Sequence, residues 1–415
     1  AYTVFEPECT TLKEPVNFVS TPNSRGTLEI LWSSLFTIFA CTWTIQHPNV
    51  PEQRYGRYPG WWGDFRWGLR HAIESLKLAV ATILAPELVI YFAWSDFTAA
   101  RSVCKKLEAL AKQDGVPWTR THGHFAVMGG FVVRIKKPAD DDAKHQPPYH
   151  LTGPDLCYLR DKGHIQLPSI NEEVIADRSK SDPLLKTLAL GQILWSILQI
   201  TVRGIRGLSI SLLELSVLAF AACAILVYLL YWNKPKHINT TITVHEYDGE
   251  IPQHIRAAFA EIFYPLWDLF APKTAAHELA IASKGLPIPT LSLVSDENND
   301  NFGIFLLYAG TVLFGAIHLA GWNFPLPTPA EQILWRCATV FTTVFSLLLL
   351  IFAIIAGIVE DCLMSNVDTS TFTTPILAGL YVLARLFILV ESFRTLAYLP
   401  VDAFESTWTA SIPHF

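Results

Sequence analysis

A chain of 415 residues in which 51% are hydrophobic and only 16% charged lies outside the usual balance of a soluble globular protein. The net charge of −6 offers no global basic field, so nucleic acid is set aside as a partner. The composition predicts an all-α polytopic helix bundle, multi-pass in an endomembrane or plasma membrane.

Seven segments are long and apolar enough for a hydrocarbon core that needs about 20 helical residues. In chain order they are Thr27–Gln46, Leu69–Trp94, Thr187–Arg203, Leu208–Trp232, Phe302–Trp322, Gln332–Val359 and Pro375–Leu399. The predicted organisation follows: an N-terminal extramembrane segment (1–26), helices one and two (27–94), an extramembrane region with amphipathic helices (95–186), helices three and four (187–232), a second loop (233–301), helices five to seven (302–399) and a tail (400–415). The third segment is the shortest, and Arg203 to Gly207 leaves only a tight turn before the fourth, as a helical hairpin requires. One kinked surface helix is the competing reading of that pair. Pro86 removes a backbone donor inside the second segment and should kink it. Trp32, Trp43, Trp94, Trp232 and Trp322 sit toward segment ends, which suits an interfacial belt.

Seven crossings put both large loops on the same face as the N-terminus. In the first loop, Ala99, Val103, Leu107 and Leu110 have helical spacing, whereas PWTRTHGHFAVMGGFVVRI predicts short strands or a membrane-lying elbow. KKPADDDAKHQPP reads as a disordered tip. Orientation is contested within the sequence. Lys and Arg beside the spans favour the loop face as cytosolic, including Arg101, Lys105, Lys106, Lys112, Lys186, Lys234 and Lys236. A start at Ala1, the sequon Asn239-Thr240-Thr241 and four loop-face cysteines (Cys9, Cys104, Cys157 and Cys362) favour a lumenal face.

Charged groups inside spans carry the chemistry, since burying an ion in lipid costs at least a few kcal/mol and such groups face the bundle interior. At about 1.5 Å of rise per residue, Glu87 lies roughly 10 Å and Arg385 roughly 15 Å beneath the loop face, a gap that a long arginine closes. A buried Glu87–Arg385 pair is therefore expected, either as a helix-locking bridge or as part of a site. Without that pairing Glu87 becomes a proton donor. Glu29 and Asp361 stand near the loop face and, with Glu87, are the candidate acids. Arg385, Trp32, Trp94, Glu214, His318 and Arg394 are the candidate substrate-binding residues. Toward the far face, Glu214, His318, Arg336, Glu391 and Arg394 form a second layer. It is either a polar interface with snorkelling arginines or a relay whose titrating member is His318.

Two weaker motifs complete the inventory. DENND, Asp296 to Asp300, has the spacing of a Mg²⁺-holding acidic motif but no second acidic partner, so a solvated loop is expected. His122 and His124 in THGH offer two metal ligands only if a strand turns both to one face, and no third ligand is evident. No metal or cofactor is predicted.

The stretches STPNSRGTLEILWSSLFTIFACTWTIQHPNVP, ILAPE and THGHFAVMGGF resemble a widespread family of fungal multi-span integral membrane proteins of unassigned activity. The resemblance extends through most of the first 236 residues and places Glu29, Trp43, His47, Glu87 and Glu214 inside its recurring words. It implies an integral membrane protein and no particular reaction.

Three functions compete. The first is a membrane enzyme of secondary metabolism acting on a lipophilic small molecule, a proton-initiated cyclase or isomerase of a terpenoid-like substrate. There Glu87 or Glu29 would donate the proton and tryptophan faces would steady positive charge. The others are a transporter or channel, and a seven-span receptor or scaffold. An inward-facing chamber around Glu87 is what the enzyme reading requires.

Overall fold

The computed structural model describes residues 25–53, 60–136, 148–179, 183–248, 251–252, 255, 263–265, 287–294, 301–363 and 369–408. The side chains of 183–185, 263–265, 292–294, 346, 350, 352–363 and 369–375 lie outside that description. The expected tip at Lys136–Pro148, the DENND motif, Cys9 and the side chains of Asp361 and Cys362 fall on or largely within the residues left out.

The helices are α1 (Thr27–Trp43), α2 (Trp61–Leu84), α3 (Pro86–Asp114), α4 (Arg120–Val127), α5 (Gly153–Asp161), α6 (Glu172–Arg178), α7 (Pro183–Ile205), α8 (Leu212–Leu230), α9 (Asn301–Leu319), α10 (Pro329–Leu363) and α11 (Thr369–Arg394). Because α8 is apolar on every side, with Glu214 and Ser216 as its polar exceptions, it suits a position away from water, in a protein core or a membrane. It accordingly packs against α1, α3, α7, α9 and α11 at the centre of the bundle. Ile30, Ile90, Leu213, Phe220, Val227 and Phe314 belong to its core.

Four helical stretches are long and apolar enough to cross a membrane: Lys186–Ile205, Leu212–Leu230, Asn301–Leu319 and Ile376–Ala397. A fifth is reached only if α2 and α3 count as one span, so among the described residues the predicted seven is not attained. α1 is apolar but has 17 residues.

The predicted second span, Leu69–Trp94, departs most from expectation. The chain bends by 113° at Ala85 and Pro86, and α2 and α3 form a V whose vertex is packed inside the bundle. Both arms return to one end: Arg70 of α2 pairs with Glu52 after α1, and Asp96 of α3 pairs with Lys234 after α8. The reason is local. Pro86 has no donor and opens a new helix at its first position, while Asp64, Arg66, Arg70, Glu74 and Lys77 keep the first arm polar along one side.

The V changes the parity of the chain. The start of α1 meets the start of α8 through Arg25 and Glu214, and the Arg25 amide donates to the Phe404 carbonyl beyond α11 at 3.0 Å. The described parts of the large loops gather at the opposite end, where Lys236 donates to the Thr44 carbonyl at 2.8 Å after α1. The expectation of both loops at the N-terminal end is not met by their described parts, because residues 61–114 turn back instead of running through to the other end of the bundle.

At that loop end lies a cap layer. β1 (Phe131–Lys136) is flanked by antiparallel β2 (Tyr149–His150) and parallel β3 (Ile242–Asp248). A separate antiparallel pair joins β4 (Phe263–Pro265) to β5 (Ser292–Val294). The outer half of α3, with α4, α5 and α6, covers the three-stranded sheet around Leu107, Phe125, Phe131, Leu156 and Ile175. The THGH stretch is helical and a strand follows it. The turn between them needs glycine: Gly129 has φ +73°, and a Cβ on Gly130 would stand 2.4 Å from the Phe125 ring.

Candidate functional site

At the vertex of the V, Arg385 of α11 serves two helix ends at once. Its Nε donates to the Leu84 carbonyl at 2.9 Å, one of the orphan acceptors at the end of α2. Its Nη2 donates to Glu87 Oε2 at 2.9 Å in the first turn of α3, where a carboxylate also complements the helix dipole. Tyr381 donates to the other Glu87 oxygen. The guanidinium lies 3.6 Å above the centre of the Phe314 ring, and all three polar side chains are buried. Gly310 lets α9 approach closely, since a Cβ there would stand 3.3 Å from the Glu87 Cβ. Glu87 acts as an acceptor in this cluster. That geometry braces a bent chain.

The second polar layer connects to the first through Phe314, which stacks on His318 at 4.6 Å. His318 Nδ1 donates to the Phe314 carbonyl at 2.8 Å, leaving Nε2 beside Ser216 Oγ at 3.2 Å. Ser216 also meets Ser392 at 3.1 Å. Glu214 accepts from Arg25 and from the Ser211 amide and hydroxyl, both at 2.9 Å, and so caps α8. Arg394 bridges Glu331 at 2.7 Å and Glu391 at 3.4 Å, half exposed. Glu29 caps α1 by accepting from the Gly26 amide at 3.4 Å. Trp32 is 66% exposed and points out of the bundle, while Trp94 packs at a tilt on Phe302 with ring centres 4.6 Å apart. Among the described side chains, Glu87 and Arg385 form the vertex cluster, Glu29 and Glu214 cap helices, Arg394 makes a surface bridge, His318 lies in the second layer, Trp32 faces outward and Trp94 packs on Phe302.

A cavity lies elsewhere, beside α2. A cleft of about 570 Å³ opens between α2 and the loops that carry Pro48–Glu52, His237–Asn239 and Pro287–Leu291. Its volume is in the range of small-molecule sites. The polar side of α2 supplies Trp67, Arg70, His71, Glu74 and Lys77, and Val50, Ile288 and Leu291 add apolar walls. Arg70 pairs with Glu52 at 3.0 Å and Lys77 with Glu74 at 2.9 Å, so the polar wall is charge-balanced.

Asn49 lines the cleft and leads to a buried polar network. Its amide donates to Thr290 Oγ1 at 2.9 Å and its Nδ2 to the Pro289 carbonyl at 3.2 Å. Behind it, Lys234 donates to Asn49 Oδ1 at 3.4 Å and to Asp96 at 2.5 Å, and Tyr231 donates to Asp96 at 2.9 Å. His47 lies against Tyr231 at 5.0 Å and donates through Nδ1 to the Ile45 carbonyl at 2.9 Å. Burial, reinforced by the Lys234 and Lys236 cations, holds the His47 imidazole well below its usual range. Burial next to Lys234 lowers His124 to about 4. His47 Nε2 and His124 Nδ1 have no hydrogen-bond partner. Sequence reasoning placed His47 only in a recurring word and overlooked Asp96 as a partner for Lys234. Their positions just past the ends of apolar segments were the available signal.

His122 has no spare ligand atom: Nε2 is 2.9 Å from the Ile170 carbonyl, and Nδ1 accepts from the Thr119 amide at 3.2 Å. On a helix, neighbours two apart point about 200° apart, so His122 and His124 do not converge as a strand would make them. Among the described residues no three His, Cys, Asp or Glu side chains group as a metal site. Cys104 and Cys157 are free thiols.

One comparison bears on this arrangement. Residues 2–256 match a family of unknown function, DUF8562. The chain belongs to that family. No curated protein matches it, and no solved structure does. The DUF8562 match spans the vertex residue Glu87, the α2 wall of the cleft and the Asp96–Lys234 network, and ends before α9 and α11, which supply Phe314 and Arg385.

Proposed function

We propose that this DUF8562 protein is a multi-pass membrane protein that acts on a lipophilic small molecule with a compact polar head, and that the cleft beside α2 is its working site. The likeness to fungal multi-span proteins belongs to the same proposal. The observation that carries it is the cleft: about 570 Å³, with apolar side chains from the loops and a polar wall whose charges are balanced by the Arg70–Glu52 and Lys77–Glu74 pairs. Balanced charge favours a neutral or zwitterionic head over a bare anion. The reaction expected from the sequence, a proton-initiated cyclisation or isomerisation, needs an acid touching the substrate. In this reading that group is His71 in the cleft, and Glu87 is a brace.

Filling the cleft tests the binding step. Ser75 of α2 also lines the cleft, so wild-type protein and Ser75→Trp, both purified from membranes, would be extracted and their retained small molecules compared by mass spectrometry. The expected result is an amphiphile held by the wild type and lost from the variant; identical extracts would refute the proposal. With a retained compound in hand, turnover should fall in His71→Ala and survive in Glu87→Gln.

A carrier is the second reading, favoured by the break between α2 and α3, because interrupted helices meeting inside a bundle are a recurring device of transporters. Substrate-dependent flux into liposomes, abolished by Ser75→Trp, would select it over catalysis.

A further inference from the structure

Opposite the cleft, α2 presents an apolar face that no described residue covers. Trp62, Phe65, Leu69, Ile73, Leu76 and Val80 fall within about 80° of arc at 100° per residue. All six are exposed, from 39% at Val80 to 61% at Leu76. Seven large apolar side chains in a row on one helix, counting Trp61 at 78%, are far from the scattered singles normal on a soluble surface. α1, which packs against α2, likewise exposes Trp32, Phe36, Phe39 and Trp43. Arg66, Arg70 and Lys77 border the α2 stripe on one flank, the position from which long cations reach lipid phosphates.

We infer that the outer face of α2 lies in the lipid leaflet next to the cap layer, as an amphipathic helix whose other side walls the cleft. The inference rests on the membrane reading above and gives it a route: the substrate enters sideways from that leaflet around α2, without passing through water. The bilayer fits the observations better than a second copy of the chain. The stripe is rimmed by tryptophan and cations as an interfacial helix is, and the neighbouring α1 exposes apolar side chains of the same kind.

Photo-crosslinking in native membranes tests it. Benzoylphenylalanine would replace Phe65, Leu69 or Leu76 on the stripe, Asp64 or His71 on the polar side, and Trp32 on α1 as a reference. The expected outcome is several-fold more phospholipid adduct at the three stripe positions than at 64 and 71, with strong adduct at 32. A covalent dimer through the stripe would overturn the inference in favour of self-association. Adduct at 32 but not on the stripe would overturn it while leaving the membrane reading intact. Loss of adduct at all positions, 32 included, would remove both.

Discussion

Truncating Arg385 to alanine strands the Glu87 carboxylate in a dry interior and frees the Leu84 carbonyl, so the expected loss of stability is about 3–5 kcal/mol. Replacing both charges together, as Glu87→Gln with Arg385→Met, should cost far less; thermal unfolding in detergent separates the two outcomes. This pair was legible in the sequence, because depth along two helices sufficed to bring positions 87 and 385 together. The Arg25–Glu214 pair was not legible, since residue 25 precedes the first apolar segment and seven crossings assign it to the wrong end. His124 gives a pH prediction. Its folded-state value of about 4 lies below the ordinary 6.5, so the unfolded chain binds the proton first. Stability is therefore full above pH 6.5 and declines as the pH falls toward 4, by something on the order of 3 kcal/mol if this site acts alone. His124→Leu should flatten that part of a stability-versus-pH curve, and an unchanged slope would contradict the assignment.

The V of α2 and α3 shows where reading elements from apolar runs fails. Starting a span at Leu69 absorbed Arg70, Glu74 and Lys77 into an average hydropathy, whereas their grouping on one side of a helix announces an amphipathic arm. Proline at the junction was noticed, but periodicity cannot distinguish a kink from a reversal; that depends on which partner receives the freed helix ends, here Arg385. Local signals elsewhere were sufficient. Thr152 accepts from the Asp155 amide at 3.2 Å while Asp155 accepts from the Thr152 amide at 2.8 Å, a reciprocal cap at the start of α5. Thr152→Ala should cost about 1 kcal/mol, read as earlier thermal unfolding or faster proteolysis of the cap layer.

For the whole molecule, folding α2 back toward the cap layer moves Arg66, Arg70 and Lys77 to the end that already holds Lys105, Lys106, Lys186 and Lys236. Arg206, Arg336 and Arg394 remain at the other end. Under the proposed membrane reading this imbalance orients the cap layer to the cytosol. An epitope inserted after Gly163 should be reachable only from that side, and Asn239 should carry no glycan; modification at Asn239 would reverse the assignment. The parallel pairing of β1 with β3 has a temporal consequence. Its two strands are separated in the chain by the whole of α7 and α8, so a growing polypeptide cannot complete the sheet until that hairpin has emerged and reversed direction. A nascent chain halted at residue 235 should therefore leave Phe131–Lys136 open to protease, and one halted after residue 248 should shield it.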